Sequence, residues 1–192
     1  MIRKILSIVA AMALPLLAAV SNSADAATPP SPALFGVTLA GAKVAQVETA
    51  VEKAGMTEIR SDGPRCKEYN VNGLLKEATT LMICGTQAGN FAFARYTMPS
   101  SFDTAQVGRV ITMVEHKYGQ PTTFKGNLNV GDVTAIWRLP HDMAVLTGRD
   151  WPNTTTHLSF VDVAQFRALE AEDKAAENAA KNRQYKKQAN AF

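Results

Sequence analysis

The residues with the clearest chemical potential are two cysteines, Cys66 and Cys84, the only ones in the 192-residue chain. They do not form a C-x-x-C pair, and no histidine lies near them in sequence, so a structural disulfide is favoured over a redox or metal site. Lys67 to Val71 and Thr79 to Ile83 are typical of strands, and Asn72-Gly73 opens the loop between them. Folding this stretch about its middle brings the cysteines opposite each other. The sequence therefore predicts a Cys66–Cys84 disulfide.

Three histidines are the remaining candidates for metal binding or acid–base catalysis. His116, His141 and His157 fall on a predicted helix, a turn and a strand, and nothing in their spacing indicates that they converge. The chain has no nucleophile elbow, zinc-protease helix motif, phosphate-binding loop or dinucleotide-binding glycine pattern. We therefore expect no catalytic residue, no metal site and no cofactor, and we predict that the protein is not an enzyme.

The N-terminus has the pattern of a secretory signal. Arg3 and Lys4 precede an apolar run from Ile5 to Val20, and small residues at Ala24 and Ala26 match a cleavage site. A membrane anchor is the competing interpretation, but a spanning helix needs about 20 apolar residues and this run is shorter. We predict a signal peptide over 1–26, a periplasmic or secreted protein of a Gram-negative envelope, and no stable membrane span after the signal is removed.

Composition limits the rest of the chain to one domain without an evident affinity for nucleic acid. Without residues 1–26 the chain has 18 basic and 16 acidic residues, a net charge of +2. A nucleic-acid-binding protein would concentrate its basic residues on one patch. The 166 residues that remain are enough for one domain with a sizeable core. Residues 27–33 are predicted to form a proline-rich extended leader.

Two amphipathic helices are predicted, and each is followed by strands. The first helix buries Val44, Val47 and Val51 and ends at Gly55, while the second is capped by Asp103 and ends at Gly119. The strands after the first helix begin at Cys66, Thr79 and Phe91, and those after the second span Thr122–Leu128, Val133–Leu139, Met143–Thr147 and His157–Val161.

This order predicts an α+β fold in which two tandem helix-then-antiparallel-meander units share one sheet, with the helices on one face. The predicted domain spans 34–161, with similar halves at 34–99 and 100–161. Chance similarity between two amphipathic helices is the alternative to a true duplication.

The element order resembles two groups of bacterial envelope modules. A Phe35-Gly36-Val37-Thr38-Leu39 lead into a helix, followed by a meander, is similar to the beta-lactamase-inhibitor-like and outer-membrane-assembly-lipoprotein-like domains. The resemblance covers about residues 34–98 and 101–161. It implies a role in binding other proteins without chemistry, and it supplies no site residues. The chain lacks the acylated cysteine of the lipoprotein members.

Aromatic and arginine side chains on the predicted strands suggest a partner-binding face. One side of the sheet must pack under the helices, and the opposite side would display some combination of five residues whose types dominate protein interfaces. In the alternative interpretation both tryptophans are core residues. The candidates are Arg95, Tyr96, Trp137, Arg138 and Trp151.

The C-terminal segment, residues 162–192, is predicted to be a helix that begins in the core and then projects. Asp162 is the expected N-cap, and Val163, Phe166 and Leu169 would bury its first turns. Beyond Leu169 the chain has charges and alanines but little to pack against, so we expect this part to project and fray. A basic partner-binding arm and a simple solvated tail are both open interpretations of its end.

These observations favour an exported, non-enzymatic module that binds another protein or an envelope component through an exposed sheet face. The alternatives are a secreted inhibitor of a foreign enzyme, and a periplasmic hydrolase or ligand-binding protein without a recognisable motif.

Overall fold

The computed structural model describes residues 29–63, 65–100 and 102–191. The predicted signal peptide and the first two residues of the leader lie outside the described residues. A short hairpin of β1 (Ala33–Leu34) and β2 (Val37–Thr38) comes first. The three helices are α1 (Val44–Lys53), α2 (Gln106–Tyr118) and α3 (Val163–Ala189). The strands of the main sheet are β3 (Thr57–Asp62), β4 (Cys66–Asn70), β5 (Thr80–Gly85), β6 (Phe91–Met98), β7 (Thr123–Asn127), β8 (Val130–Leu139), β9 (Met143–Arg149) and β10 (Thr156–Asp162).

The two predicted units form one antiparallel sheet of eight strands. Their order is β3-β4-β5-β6-β10-β9-β8-β7, so each unit is a four-stranded meander and the last strand of each lies at the centre. The central pair aligns Arg95 of β6 with Ser159 of β10. The predicted α+β fold with two helix-and-meander units is thereby confirmed.

Two local predictions differ from the structure. Strand β3 was not predicted, because this edge strand is polar and its one large apolar residue, Ile59, is 53% exposed. Helix α2 begins at Gln106 and not directly after Asp103. The carboxylate of Asp103 accepts a hydrogen bond from the N–H of Ala105, so it stabilises the turn that precedes the helix.

Helices α1 and α2 cover one face of the sheet and bury the larger core. Val47 and Val51 of α1 and Val107 of α2 are fully buried against it, as their helical spacing predicted. The sheet supplies residues from both units to the same cluster, among them Tyr69, Leu81, Tyr96, Trp137, Val145 and Leu158. One continuous core therefore joins the two halves.

The first turns of α3 cover part of the opposite face. Phe166 and Leu169 are buried there, and the Phe166 ring meets the Phe93 ring edge-on with 5.4 Å between centroids. Asp162 caps the helix as predicted, because its side chain accepts a hydrogen bond from the N–H of Gln165. From residue 174 onward the helix is exposed to solvent. The sheet face opposite α1 and α2 is therefore only partly open.

The predicted disulfide between Cys66 and Cys84 is present. The two residues are direct partners in the β4–β5 pair, and Cys84 lies in the core beneath α3. Arg65, the residue before Cys66, forms ion pairs with Glu172 and Asp173 of α3. The crosslinked hairpin and the start of α3 thus hold each other in place.

No helix in the described part of the chain has both the length and the apolar composition needed to cross a bilayer.

Candidate interaction face

The open face is the part of the sheet opposite α1 and α2 that α3 leaves uncovered. Residues that pair directly across neighbouring strands point to the same side of a sheet, so the register shows which side chains share this face. One row runs through Thr80, Thr97, His157, Gly148 and Thr134, and the row beside it contains Met82 and Arg95. All seven residues are half-buried. The open face is therefore a half-buried, mainly polar surface that crosses the central strands of the sheet.

Arg95 lies at the middle of the open face. Its Nε donates a hydrogen bond to Ser159 Oγ at 3.3 Å, and its guanidinium carbon lies 5.9 Å from the centroid of the Phe93 ring. Burial lowers the pKa of Arg95, and the negative charge of Asp150 opposes that shift. A guanidinium has five N–H donors, and among the described residues only one of these has a partner. Arg95 is therefore a partly desolvated cation, and most of its N–H donors have no partner among the described residues.

His157 lies one row away from Arg95. Its Nε2 is 3.2 Å from Asp150 Oδ2, while its Nδ1 is buried without a partner in the described chain. Burial lowers the pKa of His157 below its ordinary value of 6.5, and the positive charge of Arg95 lowers it further. The carboxylate of Asp150 acts in the opposite direction. His157 is consequently biased towards its neutral form.

Trp151 follows Asp150 in the loop after β9 and is 41% exposed. Its backbone N–H donates a hydrogen bond to Asp132 Oδ1 at 2.8 Å. Its indole ring has its centroid 5.6 Å from the guanidinium carbon of Arg149. Arg149 is buried on the helix side, where it donates hydrogen bonds to the carbonyl oxygens of Thr104, Asn127, Leu128 and Gly131. The loop that carries Trp151 is thus held by a buried arginine.

The structure separates the five predicted interface residues. Arg95 lies on the open face, Arg138 is exposed on the same side of the sheet, and Trp151 is exposed in its loop. Tyr96 and Trp137 were wrongly assigned to that side, since both are buried on the helix side with relative exposures of 5% and 1%.

Strand pairing and a hydrogen bond explain why Tyr96 and Trp137 lie on the helix side of the sheet. Tyr96 is paired with Leu81 and Leu158, which belong to the core under the helices. The Trp137 indole N–H donates to the carbonyl oxygen of Gly119, at the end of α2, at 2.7 Å. Of the two tryptophans, therefore, Trp137 is a core residue and Trp151 is not.

Asp150, Ser159 and Thr97 also belong to the site, although they were not among the predicted residues. Alternation along β10 does put His157 and Ser159 on one side and Leu158 on the other, and this signal was available. The contact between Arg95 and Ser159 joins residues 64 positions apart and depends on the pairing of β6 with β10. No local pattern reports that pairing.

The centre of the open face brings together the guanidinium of Arg95, the hydroxyl of Ser159 and the imidazole of His157. In the described ranges, no hydrogen bond joins Ser159 to His157. Nor do three or more histidine, cysteine, aspartate or glutamate residues of the described chain come together as a possible metal site. The donors of Arg95 and the surrounding threonines suit a partner that supplies acceptors.

No protein-family model and no curated protein matches the chain. The chain is similar in structure to a DUF4309 family protein (YjgB) from Bacillus subtilis. The sequences are 12% identical, the match covers 66% of this chain and 82% of that one, and the TM-score is 0.41. The resemblance to beta-lactamase-inhibitor-like and outer-membrane-assembly-lipoprotein-like domains consequently rests on element order alone.

Proposed function

We propose that the protein is an exported, non-enzymatic binding module that engages a protein partner through the open face, with Arg95 as the central contact. The observation that carries this proposal is the position of Arg95. A half-buried guanidinium has already lost part of its hydration, so a partner carboxylate can pair with it at a smaller additional desolvation cost. Arginine is also among the residues that contribute most to binding at protein interfaces.

Export is part of the proposal, and the disulfide supports it. Disulfides form and persist in oxidising compartments such as the bacterial periplasm or the extracellular space, and are rare in the cytosol. The Cys66–Cys84 bond and the signal-like N-terminal sequence both support a location outside the cytosol. We infer that the protein acts in the periplasm or outside the cell, where its partner is another protein or an envelope component.

Site-specific photo-crosslinking in the producing cell tests the proposal. A photoreactive residue at Thr97, on the open face, should yield a discrete adduct with the partner. The same residue at Thr112, which is exposed on α2, is the matched control and should not. Replacing Arg95 by glutamine in the Thr97 background should weaken binding at least about tenfold, since a desolvated charge pair loses one member.

A second control uses the corrected residue assignment. Tyr96→Phe alters the neighbouring residue on the opposite side of the sheet and should leave the adduct unchanged. Adducts that form equally well from Thr112, or that survive Arg95→Gln, would contradict a partner-binding open face.

A further inference from the structure

A second surface lies on the other side of the sheet, in a groove between α2 and the N-terminal hairpin. We call this the helix-side groove. Its floor is formed by Tyr96 and Leu158, one wall by Met113 and Tyr118 of α2, and the opposite wall by Phe35 and Leu74. Its volume is about 260 Å³. The groove therefore lies over the central strands, where the two halves meet.

The rim of the helix-side groove exposes large apolar side chains from three separate segments. Phe35, Leu74 and Met113 are 41%, 50% and 41% exposed. Phe35 has a φ of 47°, in the left-handed region that a bulky residue adopts only at a cost in energy. Phe35 and Gly36 are the two central residues of the β1–β2 hairpin, a turn that requires positive φ at both positions, so the turn fixes where the Phe35 ring lies. Three exposed apolar residues converging on one groove are characteristic of a ligand-binding surface.

The polar side chains of the groove are two tyrosines and one lysine, all of which can donate hydrogen bonds, and the tyrosine hydroxyls can also accept them. The Tyr118 hydroxyl is buried without a partner in the described chain, and Tyr96 lines the floor of the groove. Buried tyrosine hydroxyls ordinarily find a partner. The Lys117 ammonium lies 5.3 Å from the centroid of the Tyr118 ring. No aspartate or glutamate lines this part of the groove, so its charge is positive.

A second depression adjoins the groove along α2. Leu75 and Met113 line both parts, and the second depression adds Met98 and Val110. Val110 and Tyr118 are eight residues apart on α2, which corresponds to about 12 Å along a helix. At the far end Arg109 is paired with Glu77, and Lys76 also lines the depression. The two depressions together form a largely apolar surface along α2, with Lys117 at one end and Lys76, Glu77 and Arg109 at the other.

We propose that the helix-side groove binds a linear aliphatic carboxylate. The alkyl chain lies along α2 over Met113 and Val110, and the carboxylate accepts hydrogen bonds from the tyrosine hydroxyls and pairs with Lys117. An alkyl amine would bring a second cation to Lys117, and an uncharged alcohol would forgo the ion pair. The groove is thus selective for the acid.

Isothermal titration calorimetry with three matched probes tests this selectivity: octanoate, octylamine and 1-octanol, each as a monomer in solution. Octanoate should bind saturably at one site, and octylamine at least about fivefold more weakly, the factor expected when a partly exposed ion pair is lost. In a methyl NMR spectrum, the Met113 signal should shift with octanoate, and the signal of Met82, on the other side of the sheet, should not.

Variants distinguish the contribution of the ion pair at Lys117 from that of non-specific hydrophobic contact. Lys117→Gln should weaken octanoate about fivefold and bring it level with 1-octanol, whereas Lys125→Gln, at an exposed lysine on the edge strand β7, should change nothing. Met113→Glu puts a negative charge on the rim and should abolish octanoate binding without changing the unfolding temperature.

Equal affinity for octylamine and octanoate, equal effects of the two lysine variants, or no saturable binding would each overturn the proposal. Arg95→Gln should leave octanoate binding intact, so this result is independent of the partner-binding function proposed for the open face.

Discussion

Arg95 and Tyr96 are neighbours in sequence, yet they belong to different parts of the molecule. The guanidinium of Arg95 reaches the open face, whereas the Tyr96 ring lies in the core and burial raises its pKa to about 12. Tyr96 is thus both a core residue and the floor of the helix-side groove. At the scale of single residues, function depends on the side of the strand from which a residue projects.

The charge state of His157 makes the stability of the protein depend on pH. Because its pKa is lowered in the folded protein, the unfolded chain binds more protons at pH values between the folded-state pKa and 6.5. The free energy of unfolding should therefore fall as the pH drops below 6.5. His157→Gln should remove this part of the pH dependence. Urea denaturation of both proteins at about pH 5 and about pH 8 measures the difference.

The pKa of the His157 imidazole, measured directly, is the control for that experiment. An NMR titration should give His157 a pKa below 6.5. A value at or above 6.5, or identical pH profiles for the two proteins, would contradict the electrostatic account of the open face.

At the scale of elements, α3 has two parts with different roles. Its first turns bury Phe166 and Leu169 against the sheet, and Glu172 and Asp173 pair with Arg65. Beyond that point its side chains are exposed. The buried part of the helix determines how much of the sheet face remains open to a partner.

This division predicts a sharp contrast between two variants. Phe166→Ala should lower the free energy of unfolding by about 3 kcal/mol, because it removes a buried ring from a packed site. Deleting residues 174–192 should change it by less than about 0.5 kcal/mol, as is usual for exposed positions. Urea denaturation followed by circular dichroism measures both. A truncated protein as unstable as Phe166→Ala would mean that the distal helix packs onto the sheet.

At the scale of the whole molecule, the pairing of β6 with β10 merges the two halves. Leu81 of the first half and Trp137 of the second half belong to the same cluster. The helix-side groove also draws its walls from both halves, with Phe35 from one and Met113 from the other. Binding at that groove therefore requires the complete domain.

Because the core is shared, the protein should unfold in a single transition. Both tryptophans lie in the second half, so their fluorescence reports that half, while circular dichroism reports both. The two signals should give the same urea midpoint. Leu81→Ala, in the first half, should shift both midpoints together, with a loss of about 3 kcal/mol. Two separate transitions, or a fluorescence midpoint that Leu81→Ala leaves unchanged, would show that the halves form independent cores.

The features that the sequence determined by itself are the local ones. Helical spacing identified the buried faces of α1 and α2, and the cap at Asp162 located the start of α3. The strands on either side of Asn72-Gly73 brought Cys66 opposite Cys84. Each of these follows from the geometry of a few consecutive residues, which backbone periodicity and turn chemistry constrain directly.

Only the tertiary structure decided which side of each strand is covered. Apolar side chains occur on both sides of β6, so alternation defines two faces without saying which one the helices bury. Tyr96 and Trp137 were misassigned for that reason. The contact of Arg95 with Ser159, and the position of α3 over Phe93, depend on strands and helices that are distant in sequence. Such contacts are set by how the whole chain packs, and no local pattern contains them.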